Sequence, residues 1–393
     1  MERGFTRAEF ESRTAQLQTA LNAHAIDGVL LTTEPEVRYY SGFFTQFWQS
    51  PTRPWFLLVP QTGKPVAVIP AIGEQCMART WVEDIRCWSS PHPDDDGVSL
   101  LADTVLSVCG KSARVGLLKQ RETHLRMPLA DFEQLQVQMP GVTFADATAL
   151  VLGQRQLKSE AEIAKIRAAC DASGQAFAEL PSLVQTGQTD RQIFQRFKRS
   201  CMDHGADDVA YLVGAARHNG YDDIISPPSD HPTRGGDVLI LDTGCVVDGY
   251  FCDYDRNYYF SAAGSVSVDE ATDNAYRIVH ESIDAALDIA RPGKTCADLF
   301  HAMAAVLKGY TAADSGTAGV GRMGHGLGMQ LTESPSLTDF DHTPLAPGMV
   351  LTLEPGLSYS DGRMMVHEEN IVIRDNGPQL LTRRAAASIT RID

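Results

Sequence analysis

Five residues in the second half of the chain have types and settings that suit cation binding. Asp242 and Asp253 lie in VLILDTGCVVDGYFCDYDRN (238–257), His325 in GRMGHGLGMQ, Glu354 in VLTLEPGL and Glu368 in MVHEENIVI. Each of the four acids sits in or beside a β-rich apolar segment, where a structural strand would carry Val or Thr. A buried carboxylate costs several kcal/mol unless it is paired or bound to a cation. Four carboxylates and one imidazole form an oxygen-rich set with one nitrogen, which suits Mn²⁺, Co²⁺, Fe²⁺ or Zn²⁺. Five ligands with four negative charges exceed the needs of one catalytic zinc. They fit two ions about 3.5–4 Å apart, bridged by carboxylates and a shared hydroxide. Taken singly, each residue has a plainer reading as a turn, cap or solvent-facing side chain. The joint pattern carries the argument.

The elements that must position these residues are two hairpins. Residues 238–257 read as a strand, a Gly/Asp turn and a second strand, rich in β-branched and aromatic residues. VLTLE and MMVHEENIVI, joined by PGLSYSDGR, read as a second hairpin that brings Glu354 and Glu368 together. Alternation puts Asp255 on the same face as Asp253 and points Glu369 away from Glu368. It therefore leaves Asp253 against Asp255, and Glu368 against Glu369, undecided. Helices flank the hairpins. Ser159 with Glu162, and Thr189 with Gln192, are capping boxes, and Thr295 with Asp298 resembles one. From about residue 155 onward, long helices alternate with hairpins, an α+β arrangement. The preceding part reads as α/β: a helix over 5–26 with Phe10, Leu17 and Leu21 on one side, then the strands DGVLLTT, WFLLVP, KPVAVIP and RVGLL. Domains at 1–153 and 154–393 are expected.

At 393 residues, 43% hydrophobic and 21% charged, the chain is of ordinary globular composition and too long for one core. The net charge of -16, without clustered Lys and Arg, argues against nucleic acid as a partner. No apolar run is long enough to span a membrane, and MERGFTRAEFESR lacks the apolar segment of a secretory signal. Eight scattered cysteines without a CxxC pair suit a reducing cytoplasm.

LDTGxxxDGYxxDxxR, GHGLG, LEPGL and the HEEN strand together resemble the pita-bread metallohydrolases, the group of aminopeptidase P, prolidase, methionine aminopeptidase and creatinase. The segment VRYYSGF resembles the creatinase-type N-terminal domain, so the likeness covers nearly the whole chain. It implies an α/β creatinase-type domain followed by a pita-bread α+β catalytic domain, in a homodimer. Carried over position by position, it makes Asp242, Asp253, His325, Glu354 and Glu368 the ligands of two divalent ions, with manganese expected. Glu354 is also the implied general base. The resemblance takes Glu368 over Glu369, because the family's ligand is followed by a second acid, and disfavours Asp255, where the family usually has Thr. It implies hydrolysis of a C–N bond in a short peptide with proline after the scissile bond. The alternative is a hydrolase, or a lyase, acting on a small nitrogenous compound in the manner of creatinase or ectoine hydrolase. An adaptor that has lost catalysis would be expected to lose ligands, and this set is intact.

The chain departs from the family at three places. Two histidines that contact substrate and the developing oxyanion are replaced by Ile225 and Thr332, and an arginine two residues before the last ligand by Val366. His218, His231 and His367 are candidate substitutes, with His218 in GAARHNGYDD foremost as a catalytic residue. Gly319–Gly324 spells GxGxxG but follows a helix, not a strand, so it is weak as a nucleotide site. The aromatic run 43–56 reads as core packing, the rival reading being a groove with Arg53 over the active site.

Overall fold

The structure is a computed structural model, describing residues 2–50, 53–262, 267–308, 321–359 and 362–393. The chain forms two compact units, Glu2–Arg155 and Gln156–Asp393.

In the first unit a six-stranded mixed sheet runs in the order Asp84–Trp88, Val66–Pro70, Phe56–Pro60, Gly28–Leu31, Arg114–Leu117, Thr143–Asp146. The two strands across the turn QTGK pair antiparallel, with Phe56 opposite Val68 and Leu58 opposite Val66. Helices Val98–Val108 and Leu129–Gln138 bury Leu101, Val105 and Leu135 against Phe56, Leu58 and Val68. The first helix, Arg7–Ala23, is capped by Thr6 and buries Phe10, Leu17 and Leu21. Trp48, Trp55 and Phe56 are buried, with the Trp55 ring 5.1 Å from Phe43 and 6.1 Å from Trp48. That is the packing the aromatic run suggested. Arg53 lies over Phe47, and Pro51 and Thr52 fall outside the described residues.

The second unit is built on two larger sheets. One is centred on the strand Asp237–Val247, which pairs with Asp208–Val213, Ala216–His218, Tyr250–Phe251 and Tyr254–Phe260. The other runs Glu333–Ser336, His325–Gly326, Val350–Leu353, Glu369–Arg374, Gly377–Leu380. Helices Glu270–Leu287 and Cys296–Lys308 send Val279, Ile283, Leu299 and Met303 into a core shared with Ile240, Leu351, Leu353 and Ile371. Each fully buried aliphatic chain there contributes about 1.5–3 kcal/mol. Helices Glu160–Leu183 and Asp190–Asp203 both start in capping boxes, at Ser159 and Thr189, and pack Phe177 against Phe197 with tilted rings 4.5 Å apart. At Thr295 and Asp298 the same reciprocal bonds form, with the aspartate in the glutamate's role.

Both hairpins read from the sequence are present, and both are interrupted. In the first, Asp248 and Gly249 turn the chain at positive φ. The Cys252 N–H still donates to the Cys245 carbonyl oxygen at 2.9 Å, but pairing lapses at Asp253 before resuming at Tyr254, opposite Thr243. In the second, Leu353 lies opposite Glu369 and Gly356 opposite Val366. The ladder thus breaks where Glu354 faces Glu368, and the tip becomes a separate two-stranded piece, Gly356–Tyr359 with Arg363–Val366. Candidate ligands stand at both interruptions. All eight cysteines are unpaired, and Cys170, Cys201, Cys245, Cys252 and Cys296 are buried.

Candidate metal centre

Asp242 lies directly opposite Asp255 in the first hairpin, so their side chains share one face, and Asp253 shares it two residues earlier. Asp253 sits where no ladder holds the backbone, and a side chain holds it instead. The Asp253 N–H donates to Asn370 Oδ1 at 3.0 Å, and Asn370 Nδ2 donates back to the Asp253 carbonyl. Asn370 is itself fully buried. Asp242 accepts a hydrogen bond from Tyr211 on the neighbouring strand, while its Oδ1 is buried with no partner.

His325 arrives from the second sheet between two glycines that permit unusually close backbone approach. A Cβ on Gly324, where φ is +145°, would stand 2.3 Å from the Thr352 carbonyl oxygen, and one on Gly326 2.5 Å from that of Ser334. His325 N–H donates to Thr352 Oγ1 at 3.0 Å, and Nδ1 lies 2.9 Å from the Gly326 carbonyl oxygen. A carbonyl can only accept, so Nδ1 carries the proton and Nε2 presents a lone pair. That Nε2 faces Asp253 Oδ2 at 3.4 Å and Glu354 Oε1 at 3.9 Å. Ligand atoms of Asp253, His325 and Glu368 all lie within 4.8 Å of one another. Glu368 Oε1, like Asp242 Oδ1, is buried and unpartnered.

Burial, and then the neighbouring acids, push Asp242, Asp253 and Glu368 well above the usual carboxylate range. Burial lifts Glu354 to about 7, with Arg322 opposing and Asp255 adding to the rise. Burial lowers His325 to about 4, helped by Arg322, so its imidazole is neutral. Without a cation these buried groups must hold protons to avoid mutual repulsion, and a divalent ion among them would take the place of those protons. The donor set and its orphaned oxygens therefore fit divalent metal.

The acids that alternation left open have partners of their own. Asp255 Oδ1 faces His367 Nδ1 at 3.4 Å, and His367 Nε2 lies 3.3 Å from Glu369 Oε1. Burial pushes the Glu369 carboxyl up, but Arg256, His367 and Thr382 more than offset it and hold it well below its usual range. His218 is elsewhere. It pairs across the sheet with Asp237, to whose Oδ1 its ring is 3.9 Å, and its side chain is 66% exposed. Asp237 precedes Asp242 by five strand residues, roughly 17 Å at ~3.4 Å each. Ile225 is exposed, and Thr332 accepts a hydrogen bond from Arg322 Nη2 at 3.4 Å. Of the glycine motif, Gly319 and Val320 lie outside the described residues; the remainder presents His325.

Sequence reasoning missed Tyr211, Asn370 and Arg322. Asn370 had a visible signal, an amide inside the apolar strand ENIVIR, where burial demands a partner. Tyr211 and Arg322 had none, since what each one faces depends on a strand or loop distant in sequence.

The metallopeptidase family M24 model matches residues 164–375, and the creatinase/prolidase N-terminal domain model matches residues 13–157. The chain belongs to metallopeptidase family M24, and it is a metal-dependent hydrolase. It is 27% identical over 376 residues to the probable dipeptidase PepE of Mycobacterium tuberculosis, covering 93% of this chain and 92% of that one. Among solved structures it resembles the dipeptidase PepE of Mycobacterium ulcerans, with a TM-score of 0.84, 24% identity and 99% of each chain covered. It also resembles a prolidase of Thermococcus sibiricus, again with a TM-score of 0.84, at 21% identity over 97% of this chain and 99% of that one.

Proposed function

We propose that Asp242, Asp253, His325, Glu354 and Glu368 hold two divalent ions and that the enzyme hydrolyses a peptide bond in short peptides, with Xaa-Pro dipeptides the leading substrates. One observation carries the metal reading: the Nε2 lone pair of His325 converges on the carboxylates of Asp253 and Glu354 at 3.4 and 3.9 Å, while Asp242 Oδ1 and Glu368 Oε1 are buried without a partner. When bound, the ions would supply Lewis acidity to water and to the substrate carbonyl. The chain's own residues do the rest. Glu354, partly open at the edge of the site and lifted by burial to about 7, takes the proton of the attacking water. Tyr211 orients Asp242, and Asn370 fixes the backbone that carries Asp253. The buried imidazole–carboxylate set of Asp255, His367, Glu369 and Arg256 braces the strand behind Glu368.

The dipeptidase and prolidase names of the relatives support peptides over a small nitrogenous substrate. Manganese, a homodimer and a cytoplasmic location, suited by eight unpaired cysteines, complete the reading. Manganese-loaded protein, offered Ala-Pro, Gly-Pro and matching non-proline dipeptides, is expected to cleave the Xaa-Pro bonds. Glu354→Gln should lower kcat by ~10²–10⁴. Failure of wild-type protein carrying two ions to cleave any dipeptide would refute the peptidase reading.

A further inference from the structure

The strand that follows Asp253 has a reverse face. Tyr254, Arg256 and Tyr258 alternate with Asp253, Asp255 and Asn257, so their side chains point away from the candidate ligands. There they meet Phe177 of the helix Glu160–Leu183, Tyr276 of the helix Glu270–Leu287 and the segment 383–386, around a cleft of about 360 Å³. That volume stands at the lower end of the ~300–1,000 Å³ typical of small-molecule sites. Three arginines line the cleft, Arg256, Arg383 and Arg384, and among the described residues no Asp or Glu does. The chain as a whole has 50 acids against 34 Lys and Arg, so composition alone would have put an acid there before a third arginine.

Two of these arginines are committed within the fold. Arg256 Nη1 donates to the carbonyls of Asp255 and Glu368 at 2.6 and 2.9 Å, and Nη2 to Glu369 Oε2 at 3.0 Å and the Arg383 carbonyl at 2.6 Å. Arg384 divides its fork between Glu369 Oε1 at 3.2 Å and Asp284 Oδ1 at 2.8 Å. Arg383 is exposed, and among the described residues its guanidinium has no partner. The hydroxyls of Tyr258 and Tyr276 donate to the carbonyls of Phe177 and Ala386 at 2.7 and 2.8 Å, so both rings stand fixed with their polar ends satisfied. One uncommitted, always-charged fork beside apolar rings suits a planar group of one negative charge on an aromatic body. A phosphate ester would bring a second negative charge with no second free cation to meet it. We propose that this cleft is a second ligand site, for a small aromatic carboxylate, and that its occupancy is felt at Glu368. The link is the segment that forms its wall. The Ala385 N–H and Arg384 Nη1 both donate to Glu369 Oε1, and Arg256 holds the Glu368 carbonyl. An occupant that braces residues 383–386 therefore stiffens the strand behind Glu368 and slows metal loss, a consequence that rests on Glu368 being a ligand.

The test is calorimetric titration of phenylacetate, phenylacetamide and phenyl phosphate into manganese-loaded wild type, Arg383→Ala, Arg383→Lys and Ala178→Leu. Ala178 lines the cleft and is exposed on its helix, so leucine there fills the cavity without entering the core. Wild type should bind phenylacetate saturably, and its neutral isostere phenylacetamide ~10- to 100-fold more weakly, the size of one charge-assisted pair. Arg383→Ala should lose the same factor for the acid, Arg383→Lys should regain part of it, and Ala178→Leu should weaken acid and amide alike. Manganese release into a chelator should be slower with phenylacetate present in wild type, and unaffected by it in Arg383→Ala. No saturable binding by wild type up to ~5 mM, or equal affinity for acid and amide, would overturn the site. So would phenylacetate binding that survives both Arg383→Ala and Ala178→Leu, because the carboxylate then sits on the metals or elsewhere. Phenyl phosphate binding more tightly than phenylacetate, with dependence on Arg383, would overturn the choice of a carboxylate. Binding that leaves manganese release unchanged would overturn the coupling to Glu368. None of these readouts needs peptide turnover, so failure of the peptidase reading is seen separately.

Discussion

Replacing Asn370 by alanine isolates how much of the metal centre depends on a side chain that touches no metal. Asn370 holds the Asp253 N–H at 3.0 Å and returns a hydrogen bond to the Asp253 carbonyl, at a point where the strand has no ladder partner. Truncation leaves two buried backbone groups unsatisfied. At ~1–3 kcal/mol for each stranded group, the expected cost is ~2–6 kcal/mol. For a unit of this size that lowers Tm by roughly 5–20 °C. The loosened Asp253 should also weaken metal binding by ~10- to 100-fold, the usual effect of losing a group that orients a ligand. Asn370→Asp keeps the shape and the acceptor, so any loss it shows reports the Nδ2 donor and the added charge. Unfolding is best followed by far-UV circular dichroism, since Trp48, Trp55, Trp81 and Trp88 all lie in the first unit. Metal content comes from elemental analysis of dialysed protein. An Asn370→Ala protein within ~0.5 kcal/mol of wild type and still holding its full metal complement would refute the clamp.

Two further outcomes follow from the same site. In metal-free protein Glu354 is raised to about 7, and Asp242, Asp253 and Glu368 are raised as well, so the folded state binds protons that the unfolded state has released. The stability these groups contribute is complete below their ordinary pKa and is lost as pH rises through their raised values, about 7 for Glu354, whereas bound metal demands deprotonated ligands. The Tm gap between metal-loaded and chelated protein should therefore widen from pH ~5 to pH ~8 in thermal melts, and a constant or narrowing gap contradicts the assignment. Gly324→Ala should cost more than ~3 kcal/mol and abolish metal retention, because both its φ of +145° and a carbonyl oxygen at 2.3 Å exclude a Cβ. Gly321→Ala, whose added Cβ would meet no atom of the described residues within 4 Å, should fall within ~0.5 kcal/mol of wild type in the same melts.

Much of this was legible in the chain itself. The helix starts at Ser159, Thr189 and Thr295 were readable because a capping box is a contact between residues three apart. The two hairpins were readable because strand alternation and turn chemistry are also local. Hairpin pairing set Asp242 beside Asp253 and Glu354 beside Glu368, the family resemblance put the two pairs into one expected site, and the apolar surroundings of these acids pointed to a cation. Local pattern stops there. A period of two puts Asp253 and Asp255 on one face, and only the other sheet separates them, by setting His325 against the first and His367 against the second. Glu369 is told from Glu368 by Arg256, Thr382 and Arg384, which reach it from distant parts of the chain. His218 looked available by type, but its strand register carries it toward Asp237 and away from the acids. Arg322 had no periodicity to mark it, and Thr332 reads as a gap in a motif until the guanidinium beside it is seen. The ligand types were determined by the sequence because burial of charge is a property of each segment. Which acid meets which partner was decided by tertiary structure, since that depends on how two sheets and their interrupted strands face one another.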